Sequence, residues 1–223
     1  MPAEPLIIFD CDGVLVDSEP ISLGVLREAL AAEGVTICAE TANRLFLGRS
    51  LSTMLSVVER DFGATLSADF LETLRLRLYA RFRQDLQSTE GIADAWAGLK
   101  MAGIDWCVAS SSQPERIRLS LELVGLMPAF APPVFSATMV ENGKPAPDLF
   151  LLAAERMGRP PADCIVIEDS PAGICAAKAA GMRVFAFLGG SHARNPAYHE
   201  AIAAMEPDQM FDAMDILVKL VRK

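Results

Sequence analysis

Short runs of apolar residues alternate with helical patterns along most of the chain. The runs are rich in Ile, Val, Phe and Cys, which is typical of buried strands. They cover Leu6 to Phe9, Ile104 to Ala109, Val134 to Ser136, Cys164 to Ile167 and Val184 to Phe187. Helical spacing lies between them, at Ile92 to Met101, Pro114 to Val124, Pro147 to Met157 and Pro171 to Ala180. This alternation predicts an α/β fold with a Rossmann-like parallel sheet flanked by helices.

Residues 19–86 break this rhythm, because they show helical spacing and no strand-like run. Leu23 to Val35 and Phe70 to Phe82 both place apolar residues at helical intervals. We therefore expect an α/β core formed by residues 1–17 and 87–223, and a small all-helical domain formed by residues 18–86. The helical domain would be inserted after the first strand, at the sheet edge where active sites of open α/β sheets lie.

Composition and charge narrow the classes of partner. The chain has 223 residues, of which 52% are hydrophobic and 22% charged, as expected of a folded protein. Its formal net charge of −9 disfavours nucleic acid or an anionic membrane surface as the main partner, because both require a basic face. The apolar run at Leu6 to Phe9 is too short for a signal peptide or a membrane span, so we expect a cytoplasmic protein. A small anionic metabolite is still compatible with the net negative charge as a binding partner. We expect the protein to be a monomer or a small homo-oligomer.

Two pairs of carboxylates follow predicted strands. Asp10 and Asp12 end the first strand, and Glu168 and Asp169 end the fourth. A lone Asp before a glycine usually shapes a turn, but that role does not explain two aspartates directly after a buried strand. The carboxyl ends of parallel strands share one edge, so if the two strands lie close together the four carboxylates gather there, and a divalent cation or a shared proton would neutralise them. Without an accompanying His or Cys cluster, the donors favour Mg²⁺ over zinc.

Serines and a lysine lie between these pairs. Ser110 and Ser111 belong to VASSSQP, which follows a predicted strand and precedes a helix, so their hydroxyl and backbone N–H groups could bind an anion. Serines before a helix are more often only caps. Lys144 lies in the loop ENGKPAP and indicates nothing when taken alone.

Together, these segments resemble the haloacid dehalogenase superfamily of phosphotransferases, in the branch with a small helical cap inserted after the first strand. FDCDGVLVDSE matches the first motif of the superfamily, and Ser110 in VASSS matches the second. Lys144 in GKPAPDLF matches the third, and Glu168 with Asp169 in VIEDSPAGICAAKAAGM matches the fourth. The resemblance covers nearly the whole chain.

The resemblance implies different roles for the two aspartates of the first motif. Asp10 would attack phosphorus and form an aspartyl phosphate, while Asp12 would protonate the leaving oxygen and then deprotonate the attacking water. Dehalogenases of the superfamily lack the second aspartate, so Asp12 indicates phosphate esters. Cys11 is expected to pack rather than react, because the neighbouring carboxylates raise the pKa of its thiol.

The other motif residues are implied to bind metal and phosphate. The implied Mg²⁺ ligands are Asp10, Asp12 through its backbone carbonyl, Asp169 and, as a further ligand or a partner of the ligands, Glu168. Ser110, the Ser111 backbone N–H and Lys144 would hold the phosphoryl oxygens while charge spreads over them.

The overall pattern is similar to the group of beta-phosphoglucomutases and sugar-phosphate phosphatases. Mutases of that group carry a His at the position of Ser22 and an Arg at the position of Leu51, and this chain has neither. Gly48 and Arg49 lie in the same cap loop and are candidate substrate-binding residues. Arg49 either meets an anionic group of the substrate or is a solvated loop cation, and the sequence favours neither.

Several polar residues have weaker indications. Arg75 and Arg77 are lower-ranked substrate candidates, because alternating Arg and Leu equally describes a solvated helix face. His192 and His199 could touch substrate from the loop after the last predicted strand, but a surface role is favoured for both. Asp17 and Ser18 are expected to serve the hinge and the helix cap.

These observations predict a Mg²⁺-dependent phosphatase acting on a small phosphorylated metabolite, with a sugar phosphate favoured and the cap excluding water. A sugar phosphomutase that uses Asp10 in the same way is the alternative within the enzyme class. A non-catalytic regulator that binds a phosphorylated metabolite is the alternative from another class, and the complete set of motif residues argues against it.

Overall fold

The chain forms two compact units in a computed structural model that describes residues 4–46 and 51–222. One unit consists of Met1–Asp17 and Gln87–Lys223, and the other of Ser18–Leu86. Where the chain leaves and re-enters the first unit, the backbone N–H of Asp17 donates to the carbonyl of Gln87 at 3.0 Å. Within the described ranges, no helix combines the length and the apolar character needed to cross a membrane.

The unit Ser18–Leu86 is built from helices in its described part. These are α1 (Glu19–Ala32), α2 (Ala39–Phe46), α3 (Leu51–Phe62) and α4 (Phe70–Asp85). The buried residues of α4 are Phe70, Leu74, Leu78 and Phe82, which repeat every four residues and form one apolar stripe. The two helical patterns predicted in this segment correspond to α1 and α4.

The other unit contains a six-stranded sheet in which all neighbouring strands are parallel. Its strands are β1 (Leu6–Phe9), β2 (Trp106–Ser110), β3 (Val134–Ser136), β4 (Cys164–Glu168), β5 (Arg183–Phe187) and β6 (Gln209–Phe211). They lie in the order β3-β2-β1-β4-β5-β6. Phe9 of β1 is aligned with Val108 of β2 and with Ile167 of β4. The carboxyl ends of these three strands therefore lie side by side, and the predicted α/β fold is confirmed.

β4 and β5 are each one residue longer than predicted, and the larger differences from the predicted strands are in β2 and β6. β2 starts at Trp106 rather than Ile104, because Ile104 completes the end of the preceding helix, where its N–H donates to the carbonyl of Leu99 at 3.0 Å. β6 was not predicted from the sequence. Only Phe211 of its three residues is buried and Met210 is 40% exposed, so this edge strand lacks the continuous apolar run that marks a buried strand.

Helices cover both faces of the sheet. They are α5 (Ile92–Ala102), α6 (Pro114–Leu123), α7 (Asp148–Arg156), α8 (Pro171–Ala179), α9 (Pro196–Ala203) and α10 (Leu217–Val221). Ile8 of β1 points into a core with Phe150 of α7 and Ile174 of α8. Phe9 points to the opposite face, where its ring lies edge-on to Trp96 of α5 at 5.8 Å. The central strand is thus buried on both faces, and the polar residue Asp10 follows at its carboxyl end.

Candidate active site

The loop after β1 turns sharply against the end of β4. The backbone N–H of Asp10 donates to the carbonyl of Ile167 at 2.9 Å. The N–H of Leu15 donates to the carbonyl of Cys11 at 2.9 Å, which closes the turn. Gly13 has φ +82°, a conformation that favours glycine. A Cβ at Gly13 would also collide with Oδ2 of Asp169. Glycine is therefore required here both by the backbone conformation and by the approach of Asp169.

Lys144 joins the two acidic pairs. Its Nζ lies 2.5 Å from Oδ1 of Asp10 and 2.7 Å from Oε1 of Glu168, and it also donates to the carbonyl of Ala109 at 3.1 Å. The lysine side chain is only 3% exposed. Burial would lower the pKa of Lys144, but the carboxylates of Asp10 and Glu168 outweigh it and raise that pKa above its ordinary value. The loop lysine that indicated nothing alone is therefore a buried ammonium at the centre of the cluster.

Glu168 is fully buried and shapes the start of α8. Its Oε2 accepts hydrogen bonds from the backbone N–H groups of Asp169 and Ser170, at 2.9 and 2.8 Å, and from the Ser170 hydroxyl at 2.9 Å. A Cβ at Gly173 would collide with this carboxylate. With one oxygen engaged by three donors and the other by Lys144, Glu168 has the contacts of a supporting residue.

Asp169 is held by residues that follow β5. Nε2 of His192 lies 2.8 Å from Oδ2 of Asp169, and the His192 side chain is 3% exposed. The Tyr198 hydroxyl donates to the backbone carbonyl of Asp169 at 2.9 Å, and its ring lies edge-on to the His192 ring. The surface role favoured for His192 is therefore wrong. The His192 side chain is buried because it packs against Gly13 and Gly190. Packing of this kind leaves no periodic pattern in the sequence.

Two residues not singled out from the sequence hold the carboxylate of Asp12. The Ser112 hydroxyl donates to Oδ2 at 2.6 Å, and the Arg116 guanidinium donates to Oδ1 at 2.7 Å. Both donors come from the segment between β2 and the first turn of α6. The sequence shows the order strand, serines, helix, but an Arg in the helix has the same local pattern as an exposed helical cation.

The serines after β2 form a small hydrogen-bonded turn. Ser110 is 1% exposed, and its Oγ accepts from the backbone N–H of Ser112 at 3.1 Å. The Ser136 hydroxyl at the end of β3 donates to the carbonyl of Ser112 at 2.7 Å. Ser111 is exposed beside them. The structure thus places Ser110 at the same sheet edge as Asp10, and the phosphate-binding roles of Ser110 and Ser111 stay predictions.

The buried carboxylates carry an excess of negative charge. Burial is the largest cause that raises the pKa of Asp10 well above its ordinary value, with Lys144 opposing it and the charges of Glu168 and Asp169 adding to it. Burial also raises the pKa of Asp169, against the hydrogen bond and charge of His192. The Lys144 ammonium and a protonated His192 together balance at most two of the three carboxylates, so ionising all of them requires further positive charge.

The donor set fits a hard divalent cation. All candidate ligands offer oxygen, which Mg²⁺ prefers, and the cluster is short of positive charge. In the described part of the chain, no three acidic, His or Cys side chains already stand at metal-ligand spacing. The carboxylate oxygens of Asp10 and Asp169 are instead directed to Lys144 and His192. The Mg²⁺ assignment therefore depends on donor chemistry and charge.

The structure gives different outcomes for the remaining candidate residues. Gly48 and Arg49 lie outside the described residues. Arg75 and Arg77 are exposed on α4, and His199 is half-buried in α9. Ser18 is the N-cap residue of α1, as expected, but its side chain makes no capping hydrogen bond. Asp17 instead accepts hydrogen bonds from the Ser191 N–H and hydroxyl, at 3.2 and 2.8 Å.

Cys11 lies between the two aspartates and is 1% exposed. Burial is the largest cause that raises the pKa of its thiol well above the ordinary value, and the charges of Asp12 and Asp10 add to it. A thiol held in this way is a poor nucleophile. Cys11 is a packing residue, as expected.

Comparison with known proteins identifies the family. Residues 5–181 match the model of the haloacid dehalogenase-like hydrolases. The chain is 30% identical to 6-phosphogluconate phosphatase of Escherichia coli K12, over 88% of this chain and 87% of that protein. It is 31% identical to hexitol phosphatase A of the same organism, over 80% of this chain and 81% of that protein. A solved haloacid dehalogenase-like protein of unknown function from Agrobacterium tumefaciens is 35% identical with a TM-score of 0.84, covering 99% of this chain and 98% of that one. The chain thus belongs to the haloacid dehalogenase-like hydrolase family, as its motifs predicted.

Proposed function

We propose that the protein is a Mg²⁺-dependent phosphatase that hydrolyses a small phosphorylated metabolite, specifically a sugar phosphate, through an aspartyl phosphate. One observation carries the proposal. Asp10, at the end of the central strand, lies 2.5 Å from the buried ammonium of Lys144, and Asp12 follows it on the same loop. A nucleophilic carboxylate, an adjacent cation and a second carboxylate for proton transfer are the groups that phosphoryl transfer by this route requires.

Asp10 is the nucleophile of the proposed reaction. An oxygen of its carboxylate forms a bond to phosphorus while the bond between phosphorus and the substrate oxygen breaks. Asp12 donates a proton to that leaving oxygen, so the sugar departs as a neutral alcohol. A water molecule then attacks phosphorus, transfers a proton to Asp12 and breaks the bond between Asp10 and phosphorus. Inorganic phosphate leaves, and both aspartates return to their starting states.

Positive charge and N–H donors stabilise the phosphoryl group during both steps. Lys144, the Ser110 hydroxyl and the backbone N–H of Ser111 are the proposed contacts of its oxygens. When bound, Mg²⁺ would supply positive charge that stabilises the charge developing during phosphoryl transfer. Its proposed ligands are Asp10, Asp169 and the backbone carbonyl of Asp12, with Glu168 holding Lys144 and the turn behind them.

A sugar phosphate is the proposed substrate because relatives are named 6-phosphogluconate phosphatase and hexitol phosphatase A. Selection among such substrates is assigned to the helical unit Ser18–Leu86, and Gly48 and Arg49 remain the proposed substrate contacts there. The absence of a His at position 22 and of an Arg at position 51 separates the chain from the mutases of the group.

Phosphate release tests the proposal directly. Purified protein is given a panel of hexose, pentose and short acid phosphates with Mg²⁺, with and without excess EDTA. We expect release from a few sugar phosphates that EDTA abolishes. Asp10→Asn should lose this activity, whereas Asp105→Asn, a change at a side chain that is 63% exposed, should keep it. Conversion of glucose 1-phosphate to its 6-phosphate isomer without phosphate release would contradict the proposal and indicate a mutase.

A further inference from the structure

Among the described residues, Ser112 and Arg116 of one segment donate hydrogen bonds to different oxygens of the Asp12 carboxylate. Ser112 donates to Oδ2 at 2.6 Å and Arg116 donates to Oδ1 at 2.7 Å. The side chains of Arg116 and Asp12 are 22% and 15% exposed, so the ion pair is partly shielded from water. A carboxylate bonded through both oxygens has a fixed position and a fixed rotation.

We propose that Arg116 and Ser112 are positioning residues for proton transfer by Asp12, an inference that rests on the proposed phosphatase function. Arg116 has no proton to give up at ordinary pH and therefore anchors Oδ1 throughout the reaction. The Ser112 hydroxyl can donate to Oδ2 or accept from it, because a hydroxyl is both donor and acceptor. Oδ2 is therefore the oxygen that carries the proton to the leaving group and later takes one from water.

The position of Arg116 supports a specific role over a general surface role. It is the third residue of α6, where the positive end of the helix dipole disfavours a cation. Glu115 beside it is the type of residue that such a turn favours. Arg118, two residues further along the same helix, is exposed to solvent. The cost of placing a guanidinium in the first turn is offset by its ion pair with Asp12.

Leaving-group dependence separates positioning of an acid from general structural support. A sugar alkoxide needs a proton in order to leave, whereas p-nitrophenolate leaves readily without one. The value of kcat/KM reports the steps up to release of the first product. It therefore includes protonation of the leaving group and excludes hydrolysis of the aspartyl phosphate. Loss of Asp12 alignment should therefore reduce kcat/KM for a sugar phosphate by roughly a hundredfold. For p-nitrophenyl phosphate the reduction should be under about tenfold.

The second half of the reaction gives an independent readout. Hydrolysis of the aspartyl phosphate needs Asp12 as a base whatever the first substrate was. In Arg116→Met, p-nitrophenyl phosphate should therefore show a rapid burst of p-nitrophenol close to the enzyme concentration, followed by slow turnover. Ser112→Ala should shift both readouts in the same direction, and Arg116→Lys should recover part of the loss because it keeps the charge.

The experiment compares the wild type with Arg116→Met, Arg116→Lys, Ser112→Ala and the exposed control Arg118→Met. Melting curves establish the folded fraction of each. Equal losses of kcat/KM on the sugar phosphate and on p-nitrophenyl phosphate, without a burst, would overturn the positioning role. A rise in KM for the sugar phosphate with unchanged kcat would overturn it in favour of direct substrate binding. Failure of the wild type to release phosphate from any substrate would instead refute the proposed function itself.

Discussion

Nε2 of His192 lies 2.8 Å from Oδ2 of Asp169, so a residue that follows β5 holds the acidic residue that directly follows β4. Loss of an outer partner of a metal ligand typically weakens metal binding by about 10–100-fold. We expect His192→Asn to raise the Mg²⁺ concentration needed for half-maximal thermal stabilisation by about that factor. His199→Asn, a change at a half-buried residue of α9, should leave this concentration unchanged. Superimposable Mg²⁺ titrations of the two variants would contradict the assignment.

Removal of the buried ammonium should destabilise the core unit. Lys144→Met leaves Asp10 and Glu168 without their shared ion pair, which should lower the free energy of unfolding by about 3–5 kcal/mol at neutral pH. Without Lys144 the pKa of Asp10 rises further, so the carboxyl takes up a proton as the pH falls and the destabilisation shrinks. Urea unfolding at several pH values measures this. Lys100→Met at an exposed position is the control, and an equal stability of the two variants at neutral pH would argue against the buried pair.

The approach of Asp169 to Gly13 predicts an effect on activity separate from backbone strain. Gly13 and Gly103 have φ values of +82° and +70°, but a Cβ would meet Asp169 only at Gly13 and has open space at Gly103. Alanine at either position should reduce stability by roughly 1–2 kcal/mol because of the left-handed backbone. Only Gly13→Ala should also lose phosphatase activity. Retention of full activity by a folded Gly13→Ala enzyme would show that the Asp169 position tolerates displacement.

The cysteines should differ in reactivity. Sγ of Cys38 lies 3.3 Å from Oγ1 of Thr41, and hydrogen bonding by the Thr41 side chain and backbone lowers the pKa of this exposed thiol. Because the thiolate is the reactive form, alkylation of Cys38 should begin at a lower pH than for an ordinary cysteine. Thr41→Val should move its reaction profile to higher pH, as followed by mass spectrometry. Buried Cys11, whose pKa is raised, should stay unmodified in the folded protein, and its early alkylation would be inconsistent with this packing.

The sequence predicted the features that depend on local patterns. The four predicted helices of the core, α5 to α8, begin and end within one residue of the observed ones, and β1 and β3 match their predicted bounds. Asp10 and Glu168 are predicted at one sheet edge from the residues, and Lys144 joins them only through the family resemblance; the structure brings all three within ion-pair distance. The position of the two carboxylates is predictable because the carboxyl ends of parallel strands share one edge of the sheet.

The residues missed from the sequence depend on packing between distant segments. Arg116 looks like a solvated helical cation until α6 is placed beside the loop of Asp12. His192 lies outside the regular helices and strands that carry a periodic pattern, and its ring is buried by the close approach of Gly13 and Gly190 together with Asp169 and Tyr198. Neither contact has a local pattern, because each joins residues that are far apart in sequence and are brought together by the sheet.

The place of β1 in the sheet affects how the protein is made. β1 leaves the ribosome before the other strands of the sheet, yet its partners β2 and β4 begin only at Trp106 and Cys164. This apolar strand, which directly precedes the proposed nucleophile, therefore stays unpaired at least until the helical unit and β2 have been synthesised. Long-range pairing of this kind slows folding and exposes the nascent chain to aggregation. The contacts of the helical unit Ser18–Leu86 are local and all become available during this interval, whereas the proposed catalytic cluster forms only after β4 and the segment through His192 have been synthesised.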